Sequence, residues 1–268
     1  MSQTDIAMQA ANASILASIS ASTSASTSPS AAGVLLEVSS IRVARGEVDT
    51  LRDVSLSVRS GELVAILGAN GAGKTTLLRA LSGLLPPYAG KVTFNSTDIT
   101  GASPHHIARG GLIHVPEGRG VLPELTVREN LDLGMVMHGW RGRSEELERV
   151  YALFPILKTR GTTMAGMLSG GEQQMLSIAR SLLCRPKLLM VDELSLGLSP
   201  KITLALMSLL ARISRTGPTV LIVEQNVQKA LQFADRLYVL AQGSVVLCGT
   251  PDELRQDPGL LGAYLGQA

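Results

Sequence analysis

The chain has 268 residues, of which 45% are hydrophobic and 17% are charged, and its formal net charge is +2. This size and composition favour one large α/β domain or two small ones, and they argue against a disordered or fibrous protein. The small net charge argues against nucleic acid as a partner, and no apolar segment approaches the roughly 20 residues that a membrane helix needs.

The first 33 residues differ in composition from the rest of the chain. Ser, Ala and Thr dominate them, and such a tract cannot build a hydrophobic core. The apolar centre at Ile15 and Leu16 is short, and no Lys or Arg precedes it, so a secretory signal is not indicated. We therefore expect residues 1–33 to be a disordered extension, either a tether or an overlong start of the reading frame. The globular domain is expected to span residues 34–268.

Sequence typical of strands begins at about Val34. VLLEVSSIRVAR and DVSLSVRSG alternate apolar and polar residues around a turn at Gly46, which predicts an antiparallel sheet with one buried face. ELVAILG is a continuous apolar strand that ends at a glycine, and TTLLRALSGLL after it has helical spacing up to Pro86 and Pro87. KVTFNSTDI and GLIHVP supply two further strands.

A long helical stretch follows in the middle of the chain. Segments such as EELERVYALF and EQQMLSIARSLL are amphipathic, and they predict a helical subdomain at about residues 118–185. LLMVDE and TVLIVEQ are buried strands on either side of the helix ITLALMSLLARIS, and RLYVLAQGSVVLCG is a hairpin around Gln242 and Gly243. A short helix begins near Asp252. Strands and helices that alternate around a helical insert predict an α/β fold with a mainly parallel sheet.

The stretch GANGAGKTT carries the strongest chemical signal. It fits the phosphate-binding pattern G-x-x-x-x-G-K-[ST] and lies between an apolar strand and a helix, where that motif is functional. Backbone N–H groups would bind phosphate, Lys74 would reach the β- and γ-phosphates, and Thr75 would ligate Mg²⁺. A glycine turn with a chance lysine is the weaker interpretation. The predicted nucleotide contacts are Gly68, Ala69, Asn70, Gly71, Ala72, Gly73, Lys74, Thr75 and Thr76.

The segment LLMVDE ends a second buried strand in two carboxylates. Asp192 would hold Mg²⁺ through water, and Glu193 would orient or deprotonate an attacking water molecule. Adjacent carboxylates at the end of a buried strand are unfavourable without a cation nearby, which disfavours a simple helix cap. These two motifs fit a kinase, a GTPase or an ATPase, although no N-K-x-D guanine-reading element occurs in the sequence.

The segment LSGGEQQ, residues 168–174, discriminates among these classes. Ser169, Gly170 and Gly171 open a helix, where a capping hydroxyl and unobstructed N–H groups make a second anion site. At this point the chain resembles the ATP-binding-cassette (ABC) ATPases, whose signature reads LSGGQ, and the resemblance covers residues 35–268. It implies a P-loop NTPase core with a mainly parallel sheet, an N-terminal antiparallel β subdomain and a helical subdomain.

The resemblance also implies partners. In this family two subunits pair head to tail, so that Ser169, Gly170 and Gly171 would act on ATP bound by a sister ATPase or a second copy. Expected ligands are ATP and Mg²⁺, and expected partners are transmembrane permease subunits and, indirectly, a periplasmic binding protein. The expected location is the cytoplasmic face of the inner membrane. Cys184 and Cys248 lack metal-ligand spacing and are compatible with reduced cytoplasmic thiols.

Finer phrases narrow the family. VPEGR, LTVRENL, SLGLSP, VEQN and the terminal AYLG resemble the ATPase subunits of branched-chain amino-acid importers, above all the shorter of that transporter's two ATPases. Alternatives are a urea or amide importer, another ABC system, or a non-transport ABC switch protein. Glu117 stands where most cassettes place Gln; it would ligate Mg²⁺, or else be an exposed loop carboxylate. Arg119 and LTVRENL would line a groove for the permease, or else be solvated.

Besides Glu117, three positions depart from the usual family pattern. Arg45 replaces an aromatic residue that stacks on adenine; its guanidinium would stack there too, with loose base selectivity, or would be a surface arginine. Leu194 replaces the proline that usually follows Glu193. Gln225 replaces a histidine that contacts the γ-phosphate, and an amide donates an N–H but takes up no proton near neutral pH. We expect a positional role for Gln225 in catalysis, with a merely polar strand end as the alternative.

Overall fold

The computed structural model describes residues 33–118, 120–139 and 142–256. Residues 1–32, Arg119 and the terminal AYLG lie outside this part of the chain. The described residues form two compact units: Val121–Leu183 is one, and the residues on either side of it make up the other. Within these ranges no helix has the length and apolarity to cross a membrane.

The larger unit contains the strands and five of the helices described. Its strands are β1 (Val34–Arg45), β2 (Val48–Arg59), β3 (Leu63–Leu67), β4 (Ala89–Phe94), β5 (Thr97–Asp98), β6 (Leu112–Val115), β7 (Leu188–Asp192), β8 (Thr219–Glu224), β9 (Arg236–Ala241) and β10 (Ser244–Gly249). Its helices are α1 (Lys74–Leu81), α2 (Pro104–Gly110), α7 (Pro200–Thr216), α8 (Val227–Phe233) and α9 (Pro251–Arg255).

A four-stranded antiparallel sheet has the order β2-β1-β4-β5. Val34 at the start of β1 is exposed, but Leu36, Val38, Ile41 and Val43 are fully or almost fully buried, so β1 has one buried face, as its apolar alternation predicts. Their side chains belong to the same core as residues of the parallel sheet, such as Ile66 and Tyr238. The N-terminal antiparallel subdomain is therefore confirmed.

The second sheet has the order β10-β9-β3-β8-β7-β6, and all its pairings are parallel except that of β10 with β9. Every residue of β3, β7 and β8 is buried, because helices cover parallel sheets on both faces. The register pairs Leu67 with Glu224 and Asp192 with Val223. The carboxyl ends of β3, β8 and β7 therefore meet at one edge of the sheet, where a crevice for ligands is expected.

Tyr238 of β9 links the two sheets. Its hydroxyl accepts a hydrogen bond from the Ser57 N–H and donates one to the Ser57 carbonyl, each over 3.1 Å. The neighbouring Arg236 guanidinium donates to the same Ser57 carbonyl and to Glu62, each over 2.8 Å. The backbone of β2 is thus bonded to side chains of the parallel sheet.

Helix α1 ends earlier than its sequence predicts. The apolar spacing extends toward Pro86, but the helix stops at Leu81. Gly83 has a φ of +74°, and a Cβ atom there would lie 2.5 Å from the Ala102 carbonyl oxygen. The chain turns there because only glycine adopts this conformation against that neighbour without strain. The prediction of a helix up to Pro86 is wrong for this tertiary reason.

The smaller unit is helical. Its helices are α3 (Val127–Gly134), α4 (Arg143–Leu153), α5 (Pro155–Thr159) and α6 (Gly170–Leu183). Asn130, fully buried in α3, accepts a hydrogen bond from the Leu122 N–H and donates to the carbonyls of Leu122, Leu125 and Thr126. Thr126 and Glu129 form a capping box that starts α3. One buried amide thus organises the segment that leads into this unit.

Candidate functional site

The phosphate-binding loop follows β3 directly and leads into α1. Lys74 is only 4% exposed, and its ammonium group donates to the carbonyls of Gly68 and Ala69 over 2.9 and 3.1 Å. Gly73 has a φ of +106°, and a Cβ there would lie 2.8 Å from a Leu51 methyl carbon. The glycine is needed at this position because the loop packs tightly against β2.

A cavity of about 420 Å³ opens beside this loop. It brings together the loop, the candidate adenine contact and two acidic residues that lie far apart in the sequence. Its lining residues are Arg45, Thr50, Asn70, Gly71, Gly73, Lys74, Thr75, Thr76, Glu117 and Glu193. Gly68, Ala69, Ala72, Asp192 and Gln225 are predicted site residues that do not line it. Lys74 of the phosphate loop and the carboxylates of Glu117 and Glu193 therefore line one cavity.

Asp192 lies at the carboxyl end of β7 and is 2% exposed. Among the residues that the structure describes, neither carboxylate oxygen has a hydrogen-bond partner, although the Thr75 hydroxyl is near enough to lower the pKa in part. Burial, with smaller contributions from the negative charges of Glu193 and Glu117, raises the Asp192 pKa from 3.8 to about 6. A buried carboxylate without partners is unfavourable unless a cation approaches it.

The residues near Asp192 fit Mg²⁺. The described part of the chain holds no group of three or more His, Cys, Asp or Glu side chains that would cage a metal ion. Mg²⁺ needs no such cage, because it usually keeps several waters and binds through one or two protein oxygens together with substrate phosphates. The unpartnered oxygens of Asp192, with the Thr75 hydroxyl close by, match this sparse donor set.

Glu193 follows β7 and has a left-handed backbone, with a φ of +46°. Its N–H donates to the Val223 carbonyl over 3.0 Å. Its carboxylate oxygen Oε1 lies 3.6 Å from the Lys74 ammonium and accepts a 2.7 Å hydrogen bond from the Gln225 amide. The opposite charge and the amide donor fix this carboxylate at the wall of the cavity.

Each residue of the polar end of β8 has a different partner. Gln225 donates to Glu193, and the Asn226 side chain accepts from the Lys229 N–H over 3.0 Å and caps α8. Glu224 is 1% exposed, and burial raises its pKa. Its two carboxylate oxygens accept from the N–H and the hydroxyl of Ser195, over 3.0 and 2.7 Å. This strand end thus holds the segment that follows β7.

The Ser-Gly-Gly segment belongs to the smaller unit. The Ser169 hydroxyl accepts a hydrogen bond from the Glu172 N–H over 3.3 Å, and the Ser169 N–H donates to the Glu172 carboxylate over 2.8 Å. Ser169 and Glu172 therefore form a capping box at the start of α6. The hydroxyl group accepts in this arrangement, so its own proton remains able to bind an anion.

The family model described as ABC transporter matches residues 51–195. The chain belongs to this family. Among curated relatives, the high-affinity branched-chain amino acid transport ATP-binding protein BraG of Pseudomonas aeruginosa is 41% identical over 232 residues, 87% of this chain and 100% of BraG. The probable branched-chain amino acid transport ATP-binding protein LivF of Archaeoglobus fulgidus is 34% identical over 82% of this chain and 94% of its own length.

Solved structures agree with this membership. A nucleotide-free ATP-binding cassette from an ABC transporter superposes on this ABC ATPase with a TM-score of 0.76 and 27% identity, over 88% of this chain and all of that one. An ATP-binding subunit of another ABC transporter gives 0.75 and 30% identity, over 86% of this chain and 96% of that one. The predicted ABC ATPase fold and ATP hydrolysis as its activity are confirmed.

Sequence reasoning gave no role to Ser195 and Glu224 of this ABC ATPase. The sequence signal for Glu224 is its place at the end of TVLIVE, a run whose other residues are apolar or small. All six residues of this run are buried in the structure. Buried Glu is rare without a partner. That partner lies 29 positions away in the sequence, so no local pattern identifies it.

Proposed function

We propose that this ABC ATPase powers the uptake of branched-chain amino acids. The observation that carries the proposal is the 41% identity to BraG over the whole of that relative. The phrases VPEGR, SLGLSP and VEQN support the same subfamily. Another cargo is the alternative to test, because the lipopolysaccharide export ATP-binding protein LptB of Escherichia coli is also 34% identical, over 81% of this chain and 91% of its own length.

The phosphate loop and Lys74 bind the triphosphate. The Lys74 ammonium now donates to two loop carbonyls, and phosphate oxygens of higher charge replace these acceptors when ATP binds. Because Lys74 is almost fully buried, its charge acts in a medium less polar than water. Fixed donors of this kind stabilise charge that develops on the phosphoryl group in the transition state. Arg45 lines the same cavity and stacks on the adenine ring.

Thr75, Asp192 and Glu117 are the residues that would hold Mg²⁺. When bound, the ion neutralises charge on the phosphate oxygens. Deprotonated Asp192 offers two oxygens without other partners, and Glu117 stands in the wall of the same cavity as Thr75. After burial, the negative charges of Glu193 and Glu117 also raise the pKa of Asp192, so a cation bound here would reduce the repulsion among the three carboxylates.

Glu193 orients the attacking water and accepts its proton. Gln225 and Lys74 both lie against Oε1 of Glu193, so Oε2 is the oxygen left for the water molecule. Gln225 acts by position only, because its amide donates a hydrogen bond but takes up no proton near neutral pH. A Glu193→Gln enzyme should bind ATP and hydrolyse it at least 100-fold more slowly than the wild type, since the general base is lost. Rapid hydrolysis by this variant would refute the role of Glu193.

Ser169, Gly170 and Gly171 are proposed to act on ATP bound by a second copy or a sister ATPase. The Ser169 proton and the N–H groups at the start of α6 suit the γ-phosphate. Turnover per subunit should then rise with subunit concentration. Full turnover in a dilute monomer would contradict a composite site.

The proposed assembly includes transmembrane permease subunits and a periplasmic binding protein that this subunit does not touch. Its place is the cytoplasmic face of the inner membrane, bound peripherally through the permease. No nucleic acid is expected as a partner, since the net charge is only +2.

The cargo is tested by transport in cells. A strain that lacks the gene should lose uptake of radiolabelled leucine, isoleucine and valine, and the wild-type gene should restore it while Lys74→Ala should not. Co-purification of a binding protein that prefers these amino acids would support the proposal. Unchanged leucine uptake together with lost uptake of urea or an amide would overturn it.

A further inference from the structure

The backbone at Glu193 is strained. Its φ of +46° lies in the left-handed region, which is unfavourable for a residue with a side chain because Cβ then crowds the backbone. Glycine would adopt this conformation freely, yet the chain has a glutamate there. Neighbouring contacts must therefore hold the peptide in this conformation.

Three consecutive residues at the end of β8 supply these contacts. The Val223 carbonyl accepts the Glu193 N–H, the Glu224 carboxylate accepts both the N–H and the hydroxyl of Ser195, and the Gln225 amide donates to the Glu193 carboxylate. Hydrogen bonds thus hold the Glu193 N–H, the Glu193 side chain and Ser195, which lies two positions further along the chain.

Glu224 has an unusual environment for a carboxylate. It is 1% exposed, and both of its oxygens are engaged by a single residue, Ser195. Burial raises the pKa of Glu224, and the positive charge of Lys229 in α8 offsets part of this rise. Burial of an acid at the end of a strand is unfavourable, and an apolar side chain would fill the space without that penalty. The carboxylate therefore has a use other than packing.

We propose that Glu224 is a positioning residue for ATP hydrolysis, which aims the Glu193 carboxylate by holding Ser195 through two hydrogen bonds. This rests on the proposed role of Glu193 as the group that orients water. Leu194, which separates Glu193 from Ser195 in the sequence, is fully buried. Without Glu224, the strained peptide relaxes toward negative φ, and the Glu193 carboxylate moves relative to the phosphate loop.

The test compares steady-state ATP hydrolysis by Glu224→Ala, Glu224→Gln and Ser195→Ala. Glu224→Ala removes both hydrogen bonds and should lower kcat about 10- to 100-fold, while the KM for ATP changes less than about threefold, because misplacement affects chemistry rather than binding. Glu224→Gln keeps an acceptor for the N–H and a donor for the hydroxyl, so its kcat should lie within about threefold of wild type.

A double mutant separates positioning from a general structural effect. If Glu224 acts through Ser195, Ser195→Ala should cause a smaller loss of kcat than Glu224→Ala, and the double variant should be no slower than Glu224→Ala alone.

The matched control is Glu62→Ala. Like Glu224, Glu62 accepts hydrogen bonds from a backbone N–H (Arg59) and from a side chain (Arg236). Glu62 directly precedes β3, whereas the phosphate loop follows the other end of that strand. The Glu62→Ala variant should have a lower melting temperature and an unchanged kcat.

Two results would overturn the inference. One is a wild-type kcat for Glu224→Ala in a preparation where Glu193→Gln is inactive; this would leave the role of Glu193 intact. The other is an equal loss of kcat in Glu224→Gln and Glu224→Ala, which would show that charge and not hydrogen bonding matters. If Glu193→Gln hydrolyses ATP at the wild-type rate, the proposed function of Glu193 itself fails instead.

Discussion

Replacement of Asp192 by asparagine should stabilise the nucleotide-free protein while it abolishes activity. The side chain is 2% exposed and has no hydrogen-bond partner in the described part of the chain, and burial raises its pKa from 3.8 to about 6. At about 1.4 kcal/mol per pKa unit, this difference corresponds to about 3 kcal/mol of lost stability at pH 8. Asparagine removes the charge, so the gain in the free energy of unfolding should approach about 3 kcal/mol.

The pH dependence of this gain follows from the sign of the pKa change. A carboxyl group whose pKa is raised in the folded state binds more protons when folded, so stability falls as the pH rises from 3.8 to about 6 and is constant above that range. The advantage of Asp192→Asn should therefore be full at pH 8 and about half as large at pH 5. Thermal unfolding in EDTA without nucleotide measures it, with about 2–4 °C expected per kcal/mol for a chain of this size.

The control for this measurement is Asp235→Asn. Asp235 accepts a hydrogen bond from the Leu63 N–H over 2.8 Å and forms an ion pair with Arg215, so its replacement should lower the melting temperature. Asp192→Asn should also lose both magnesium-dependent hydrolysis and the stabilisation that magnesium and ATP give together. The reasoning is refuted if Asp192→Asn melts at or below the wild-type temperature at pH 8, or if its gain is equal at pH 5 and pH 8.

Three further changes test separate parts of the molecule. Gln225→Ala should lower kcat about 10-fold and alter ATP binding much less, because one hydrogen bond to Glu193 is lost. An unchanged kcat would mean that Gln225 has no role in catalysis. Arg45→Ala should weaken binding of ATP and GTP by a similar factor, in nucleotide competition; a strong wild-type preference for ATP would argue against stacking by Arg45. Gly83→Ala should reduce the free energy of unfolding in urea by about 2 kcal/mol or more, and wild-type stability would contradict the strain.

The sequence was most informative where the signal is local. The apolar runs of β3 and β8 predicted buried parallel strands, because both faces of such strands are covered. The phosphate loop was recognised because its glycines, lysine and threonine are consecutive and must follow a strand. The phosphate loop after β3 and the carboxylates at the end of LLMVDE predict Lys74 and Asp192 at the same edge of the sheet.

Features that depend on distant residues were missed. The end of α1 at Leu81 follows from the contact of Gly83 with Ala102, which the helical spacing of the sequence does not reveal. The hydrogen bonds between Glu224 and Ser195 join positions 29 residues apart, and each residue alone is ordinary. The raised pKa of Asp192 likewise depends on burial, a property of the folded state only.

The phenol of Tyr238 imitates a neighbouring peptide group. It both donates to and accepts from the backbone of Ser57, as a residue of an adjacent strand would. The antiparallel strands therefore cannot open to solvent without breaking bonds to β9, whose backbone is also paired with β3. Local opening of one sheet and of the other are thereby coupled, so their amides should exchange with solvent as a single cooperative unit.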